Sequence, residues 1–259
     1  MIPLTLTPWP VLLDVIDSIQ FTENPAGKSA YRVDPSPQFV MGFQLEGRLQ
    51  ALKSEGDKTL TPSGVTGIQN QNRLYQSVGK TRSILVHFKP WGAACFLTGP
   101  MSELMGENVG LRDILDPQEV RDLEDQLYNT EFRQASRILQ AFLVKHRLFR
   151  ESDPLVLNAA KHIMLKAGNL SISRMADSLA TTERSLERRF QQWIGTSPKH
   201  FAALLRFQKS LDLLRRGKEG TEVAYECGYF DQAHFIREFK RFTGSTPGAY
   251  LFSSKTLGL

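Results

Sequence analysis

The chain has 259 residues, 41% hydrophobic and 23% charged, with a formal net charge of +5. That is ordinary globular composition, enough for one large or two small domains. No basic segment precedes an apolar run at Met1-Ile-Pro-Leu-Thr, and runs such as Ile84–Val86 and Ala93–Leu97 fall far below the ~20 residues of a membrane span, so neither a secretory leader nor a membrane partner is expected.

The elements follow in chain order. Phe39, Met41, Phe43 and Leu45 alternate with Val40, Gly42, Gln44 and Glu46, a period near two that predicts a half-buried strand. Gly47 and the run Ser54-Glu-Gly-Asp57 are turn material. Ser83–Phe88 is a second strand-like run, ended by Pro90. Short strands between Gly- and Ser-rich turns predict a small barrel or sandwich. Helical spacing takes over at Leu111–Leu148. Val120, Leu123 and Leu127 form one apolar stripe, and Phe132, Ala135, Ile138, Leu139, Phe142 and Leu143 form another. Three placements stay open for these helices: bridging two domains, packing on the β-rich part, or pairing with a second subunit. Glu151-Ser-Asp-Pro154 reads as a joint, with Ser152 or Asp153 as N-cap and Pro154 as first helical residue.

Charge is unevenly spread. Residues 154–253 hold 15 Lys and Arg against 9 Asp and Glu, a net +6, while everything else carries 17 basic and 18 acidic groups. The same stretch contains an internal repeat. Leu186-Glu-Arg-Arg-Phe190 matches Phe235-Ile-Arg-Glu-Phe239 at an offset of 49, and Gly195-Thr-Ser-Pro198 matches Gly244-Ser-Thr-Pro247 at the same offset. Ala176 and Ala180 match Ala224 and Gly228 at 48, so the second copy has one extra residue at its turn. Each copy reads as helix, tight turn, helix. Ser171 and Thr182 cap the two helices of the first; Gly228 turns and Asp231 caps in the second. Leu186 and Phe190 face inward in the first unit, as do Val223, Ala224, Cys227, Phe235, Ile236 and Phe239 in the second. Ser197 as N-cap, Pro198 as first residue and Gly217 as stop predict a connecting helix. Over residues 198–216 it would span about 28 Å at 1.5 Å per residue, against the ~34 Å between successive major-groove faces of DNA.

The run Gly228-Tyr-Phe-Asp-Gln-Ala-His-Phe-Ile-Arg-Glu-Phe-Lys-Arg-Phe-Thr-Gly-Ser-Thr-Pro247 resembles the signature of AraC/XylS-type transcriptional regulators, and Leu186–Phe190 with Gly195–Pro198 resembles its upstream half. The resemblance covers about residues 155–252. It implies seven helices with two helix-turn-helix units on one connecting helix, the second helix of each entering the major groove. More weakly, Ser83-Ile-Leu-Val-His-Phe-Lys-Pro-Trp-Gly-Ala-Ala94 resembles cupin-like domains of some family members, in which this half senses an effector or dimerises. The first turn departs from the family pattern, with Ala180 where Gly is usual. If Ala180 adopts positive φ, it costs roughly 1 kcal/mol relative to Gly.

The expected architecture is therefore α+β. Residues 1–150 form a β-rich, cupin-like part with trailing helices, and residues 153–253 form an all-α DNA-binding part with helix-turn-helix units at 171–190 and 220–242. Candidate base contacts are Arg184, Glu187, Arg188, Gln232, His234 and Arg237; Arg188 and Arg237 occupy equivalent repeat positions, and Arg donates two hydrogen bonds to guanine. Lys199, Lys240 and Arg241 are candidate phosphate contacts, which position without specifying. The five histidines show no metal-ligand spacing and no phosphate-binding glycine loop is present, so no catalytic residue, metal or cofactor is expected. Cys95 and Cys227 form no disulfide framework and fit a reducing cytoplasm. His87, Trp91, Phe39 and Phe43 could line an effector pocket or serve only as core. The leading reading is a cytoplasmic, sequence-specific regulator of transcription whose partners are double-stranded DNA, with a small-molecule effector and a homodimer left open. The alternatives are a metal- or thiol-dependent cupin-like enzyme tethered by a helical domain, and a ligand sensor that has lost DNA binding.

Overall fold

The computed structural model describes residues 4–25, 30–52, 56–148 and 152–256. Met1, Ser54 and Glu55 of one expected turn, and Glu151 of the expected joint lie outside them.

The first half is one antiparallel sheet built from β1 (Leu4–Leu6), β2 (Ile16–Asn24), β3 (Ala30–Val33), β4 (Val40–Leu52), β5 (Lys58–Thr59), β6 (Ser63–Thr66), β7 (Arg73–Phe88) and β8 (Asn108–Gly110). The order is β1-β2-β7-β4-β6-β8, with β3 added to β7 and β5 to β4. The alternation at 39–46 holds: Met41, Phe43 and Leu45 are buried, and Met41 and Phe43 stand opposite Val86 and Ile84 of β7. Two expectations need correction. Gly47 does not turn the chain; it sits at φ 74 inside the 13-residue β4, where the register against β7 shifts, and so forms a bulge that lets the strand continue. The second strand is 16 residues long and starts at Arg73, well before Ser83. Its polar first half carries little apolar signal and is held by pairing with β3 and β4.

The trailing helices are α1 (Pro117–Leu127) and α2 (Phe132–His146), and they pack on this sheet. Val120, Leu123, Leu127, Ala135, Leu139 and Leu143 join one buried cluster with Met41, Phe43 and Ile84. The Phe132 ring lies 4.8 Å from that of Phe21 on β2. Of the three placements left open by spacing, the structure takes packing on the sheet.

Seven helices follow among the described residues: α3 (Pro154–Leu165), α4 (Ile172–Ser178), α5 (Glu183–Trp193), α6 (Pro198–Arg215), α7 (Gly220–Glu226), α8 (Gln232–Thr243) and α9 (Pro247–Thr256). Five of them, α3, α4, α5, α6 and α8, start at expected caps. The Asp153 carboxylate accepts from the Leu155 and Val156 N–H groups at 3.0 and 3.4 Å, Ser171 from Arg174, Thr182 from Ser185, Ser197 from His200 and Asp231 from His234. No helix is long and apolar enough to cross a membrane among the described residues.

Candidate nucleic-acid interface

The two repeated units superpose in their local logic. In the first, the Ala180 and Thr181 N–H groups close the end of α4 on the Asp177 and Ala176 carbonyls; in the second, Gly228 and Tyr229 close α7 on Tyr225 and Ala224. Both ends are the same left-handed helix stop. Gly228 has φ 72, and Ala180, its counterpart, has φ 51, so the expected strain is present. Ala180→Gly should raise stability by about 1 kcal/mol. A higher denaturation midpoint with DNA binding retained is the expected result; an unchanged or lower midpoint would show that the alanine costs nothing here.

Each unit then presents one recognition helix. On α5, Leu186 and Phe190 are fully buried while Arg184, Glu187 and Arg188 are exposed. On α8, Phe235 and Phe239 are buried while Gln232, Arg237 and Lys240 are exposed. Counting from the caps Thr182 and Asp231, Arg188 and Arg237 both fall on the sixth helical residue. His234 is the least available of the six base-contact candidates: it is half-buried, its ring edge-on to Tyr229 at 5.4 Å. Lys199 is exposed at the start of α6, and Arg241 is exposed but lies 3.7 Å from Glu238.

Other cations have internal partners. Arg189 pairs with Asp153 at 2.6 Å and ties α5 to the start of α3. Arg206 on α6 reaches Glu238 on α8 at 3.1 Å and the Gly168 carbonyl at 3.2 Å. Glu238 thereby fixes α8 against the connecting helix. That helix has 18 residues, about 27 Å, and it buries Phe201, Leu204, Phe207, Leu211 and Leu214 between the units. Burial pushes the Cys227 thiol up to about 11, so at neutral pH it is a protonated core side chain. Burial, then the Glu238 carboxylate, likewise raises Tyr229.

A seam that spacing does not reveal joins the sheet to the helical half. His200 Nε2 lies 2.7 Å from Asn70 Oδ1 near the start of α6. Near its end, Arg215 pairs with Asp34 at 2.6 Å, and the Tyr250 hydroxyl donates to the same carboxylate. Arg32 stacks 3.5 Å above the Tyr250 ring and donates to the Ser253 hydroxyl at 3.0 Å. Asn72 donates to the Phe242 and Thr243 carbonyls at the end of α8. Burial, then Arg241, lowers the His200 pKa below its usual value, keeping the ring neutral at this seam.

The sheet face opposite the helices lines a cavity of about 180 Å³, with Val40, Gly42, Leu85, His87, Gln69 and Tyr31 among its walls. His87 Nε2 and Gln69 Oε1 are buried there without a hydrogen-bond partner. Burial lowers the His87 pKa, so the imidazole presents as a neutral group. Phe43 also touches this cavity, Phe39 is core, and Trp91 lines a separate cleft of about 520 Å³ beside Lys161 of α3. Among the described residues no group of three or more His, Cys, Asp or Glu could hold a metal ion.

Residues 175–252 match the family model described as helix-turn-helix domain. The chain carries an AraC-type helix-turn-helix domain. Residues 4–110 match a second model, described as domain of unknown function (DUF6597). The transcriptional activator RhaS of Escherichia coli K12 / DH10B is 26% identical to this chain over 140 residues, covering 51% of this chain and 49% of that protein. RhaS of Escherichia fergusonii is 34% identical over 79 residues, 30% of this chain and 28% of that protein. The chain thus spans about half or less of the length of these curated relatives. Among solved structures, ToxT from Vibrio cholerae aligns with a TM-score of 0.50 at 11% identity, covering 91% of this chain and 98% of that one, a likeness of fold.

Proposed function

We propose that the protein is a sequence-specific DNA-binding regulator of transcription that sets α5 and α8 in successive major grooves. The observation that carries this reading is the pairing of Arg188 and Arg237, exposed at the same position of two capped helices held on one connecting helix. Arg184, Glu187 and Gln232 flank them as further base contacts, His234 contributes at the edge, and Lys199, Lys240 and Arg241 meet phosphates. The units differ in sequence, so one chain reads an asymmetric site of two half-elements about one helical turn apart. The net +6 of the helical part supports steep weakening of binding with salt.

The sheet domain, read as cupin-like, supplies the control. Its cavity offers neutral hydrogen-bonding groups, His87 Nε2 and Gln69 Oε1, to a small-molecule effector. The seam at Asn70, Asn72 and Asp34 ties that domain to the connecting helix and the second unit, which supports effector control of how the units are held. This regulator acts on DNA without catalysis, in the cytoplasm.

Selection of bound sites from random duplex with the whole protein tests the reading. One enriched asymmetric site is expected; no enrichment overturns it. On that site Arg237→Ala should cost about 1–3 kcal/mol and relax one base position. An equal loss on random duplex would reduce Arg237 to a phosphate contact.

A further inference from the structure

The second unit has one residue more than the first between its turn and the cap of its recognition helix. Ala180 is followed by Thr181 and the cap Thr182, whereas Gly228 is followed by Tyr229, Phe230 and the cap Asp231. Tyr229 goes inward: it is 7% exposed, and its ring lies 5.3 Å from Phe235. Phe230 goes outward and is 93% exposed.

The display is enforced on both sides. The Tyr229 N–H donates to the Ala224 carbonyl at 2.9 Å, and the Asp231 carboxylate accepts the His234 N–H at 2.6 Å. Phe230 therefore stands at a fixed point one residue before the cap of α8, beside exposed Gln232. The N-terminal residues of a recognition helix are the ones that meet base edges. A bare phenyl ring makes no hydrogen bond, so it gains nothing from phosphates or from the polar edges of guanine, cytosine and adenine. The apolar group a base presents in the major groove is the thymine C5-methyl. Asp231, the acidic neighbour, spends its carboxylate on the helix cap and so offers little repulsion there.

We propose that Phe230 is a specificity-determining residue that contacts a thymine methyl group in the half-element read by α8. The proposal rests on the DNA-binding reading above and adds to it a base preference that Arg237 and Gln232 do not supply. Burial of the ring against the methyl replaces water on two apolar surfaces, which is the source of its contribution.

The test uses the whole protein and its selected site. Each thymine of the α8 half-element is replaced in turn by uracil, which lacks only the methyl group. At one position the replacement should weaken wild-type binding by about three- to fivefold, the scale of one buried methyl. The same replacement should leave Phe230→Ala unaffected, and Phe230→Leu should keep part of the preference. Uracil scans that are identical for wild type and Phe230→Ala overturn the proposal. So does a Phe230→Ala protein that binds the thymine site as tightly as wild type but fails in a reporter assay, which would assign the ring to a protein partner. If Phe230→Ala melts early, the Phe230→Leu and wild-type scans decide alone: no methyl-sensitive position in the wild type overturns the proposal. Failure of the selection to enrich any site would be different, since it removes the DNA-binding reading itself.

Discussion

Gly168→Val should unfold the helical domain and abolish DNA binding. Gly168 lies just past α3 with φ +76, and its N–H closes that helix on the Ile163 carbonyl at 2.9 Å. A Cβ built there would stand 2.0 Å from the Ala202 carbonyl oxygen on α6. That atom is backbone in the second turn of the connecting helix and has no rotamer to move into. Left-handed backbone costs an L-residue about 1–2 kcal/mol, and overpacking adds about 1–3 kcal/mol. Together they take a large share of the ~5–15 kcal/mol that holds a typical domain. Denaturant midpoints and duplex titrations of the two proteins are the measurement; a wild-type midpoint for the variant would show that α3 and α6 move apart freely.

Asp34→Ala should release the second unit from the sheet domain, at a cost of about 1–3 kcal/mol, most of it from leaving the Tyr250 hydroxyl without its acceptor, because the Arg215 side chain is 53% exposed and its ion pair is screened. The Asp34 carboxylate pairs with Arg215, accepts the Tyr250 hydroxyl and lies 4.0 Å from Arg32, whose side chain is 8% exposed. Burial and the Asp34 hydrogen bond hold the Tyr250 pKa above its usual value, so the hydroxyl stays a donor. The expected outcome is a thermal transition that splits in two, one for the sheet and one for the helices. Asp34→Asn keeps an acceptor for Tyr250 and should restore part of the coupling. A single transition at the wild-type temperature in Asp34→Ala would place the docking energy elsewhere along the seam.

The helical half was legible because its signals are local. Ser171, Thr182, Ser197 and Asp231 cap helices through N–H groups three residues away, and Leu186, Phe190, Phe235 and Phe239 recur at helical spacing. The strained Ala180 was visible for the same reason: the repeat places it where Gly228 turns. The sheet was legible only in its apolar stretches, the alternation at 39–46 and the run at 83–88. The first half of β7 is polar and its place comes from distant partners, Tyr31 opposite Tyr75 and Ala51 opposite the same residue. Phe230 sat inside a matched motif, yet a phenylalanine in a turn looks like core until its direction is known.

The sequence by itself determined the helix ends, the repeated unit, the net +6 on one part of the chain and the arginines placed alike on two helices. These depend on interactions within a few residues, or on composition, and so are written in order along the chain. Only the tertiary structure decided that α1 and α2 cover the sheet, that Asp34 clasps Arg215 and Tyr250 across more than 180 residues, and that His87 and Gln69 share a cavity. Those pairings depend on sheet register and domain docking, which are set by the sum of many weak contacts and leave no periodic mark on the residues that meet.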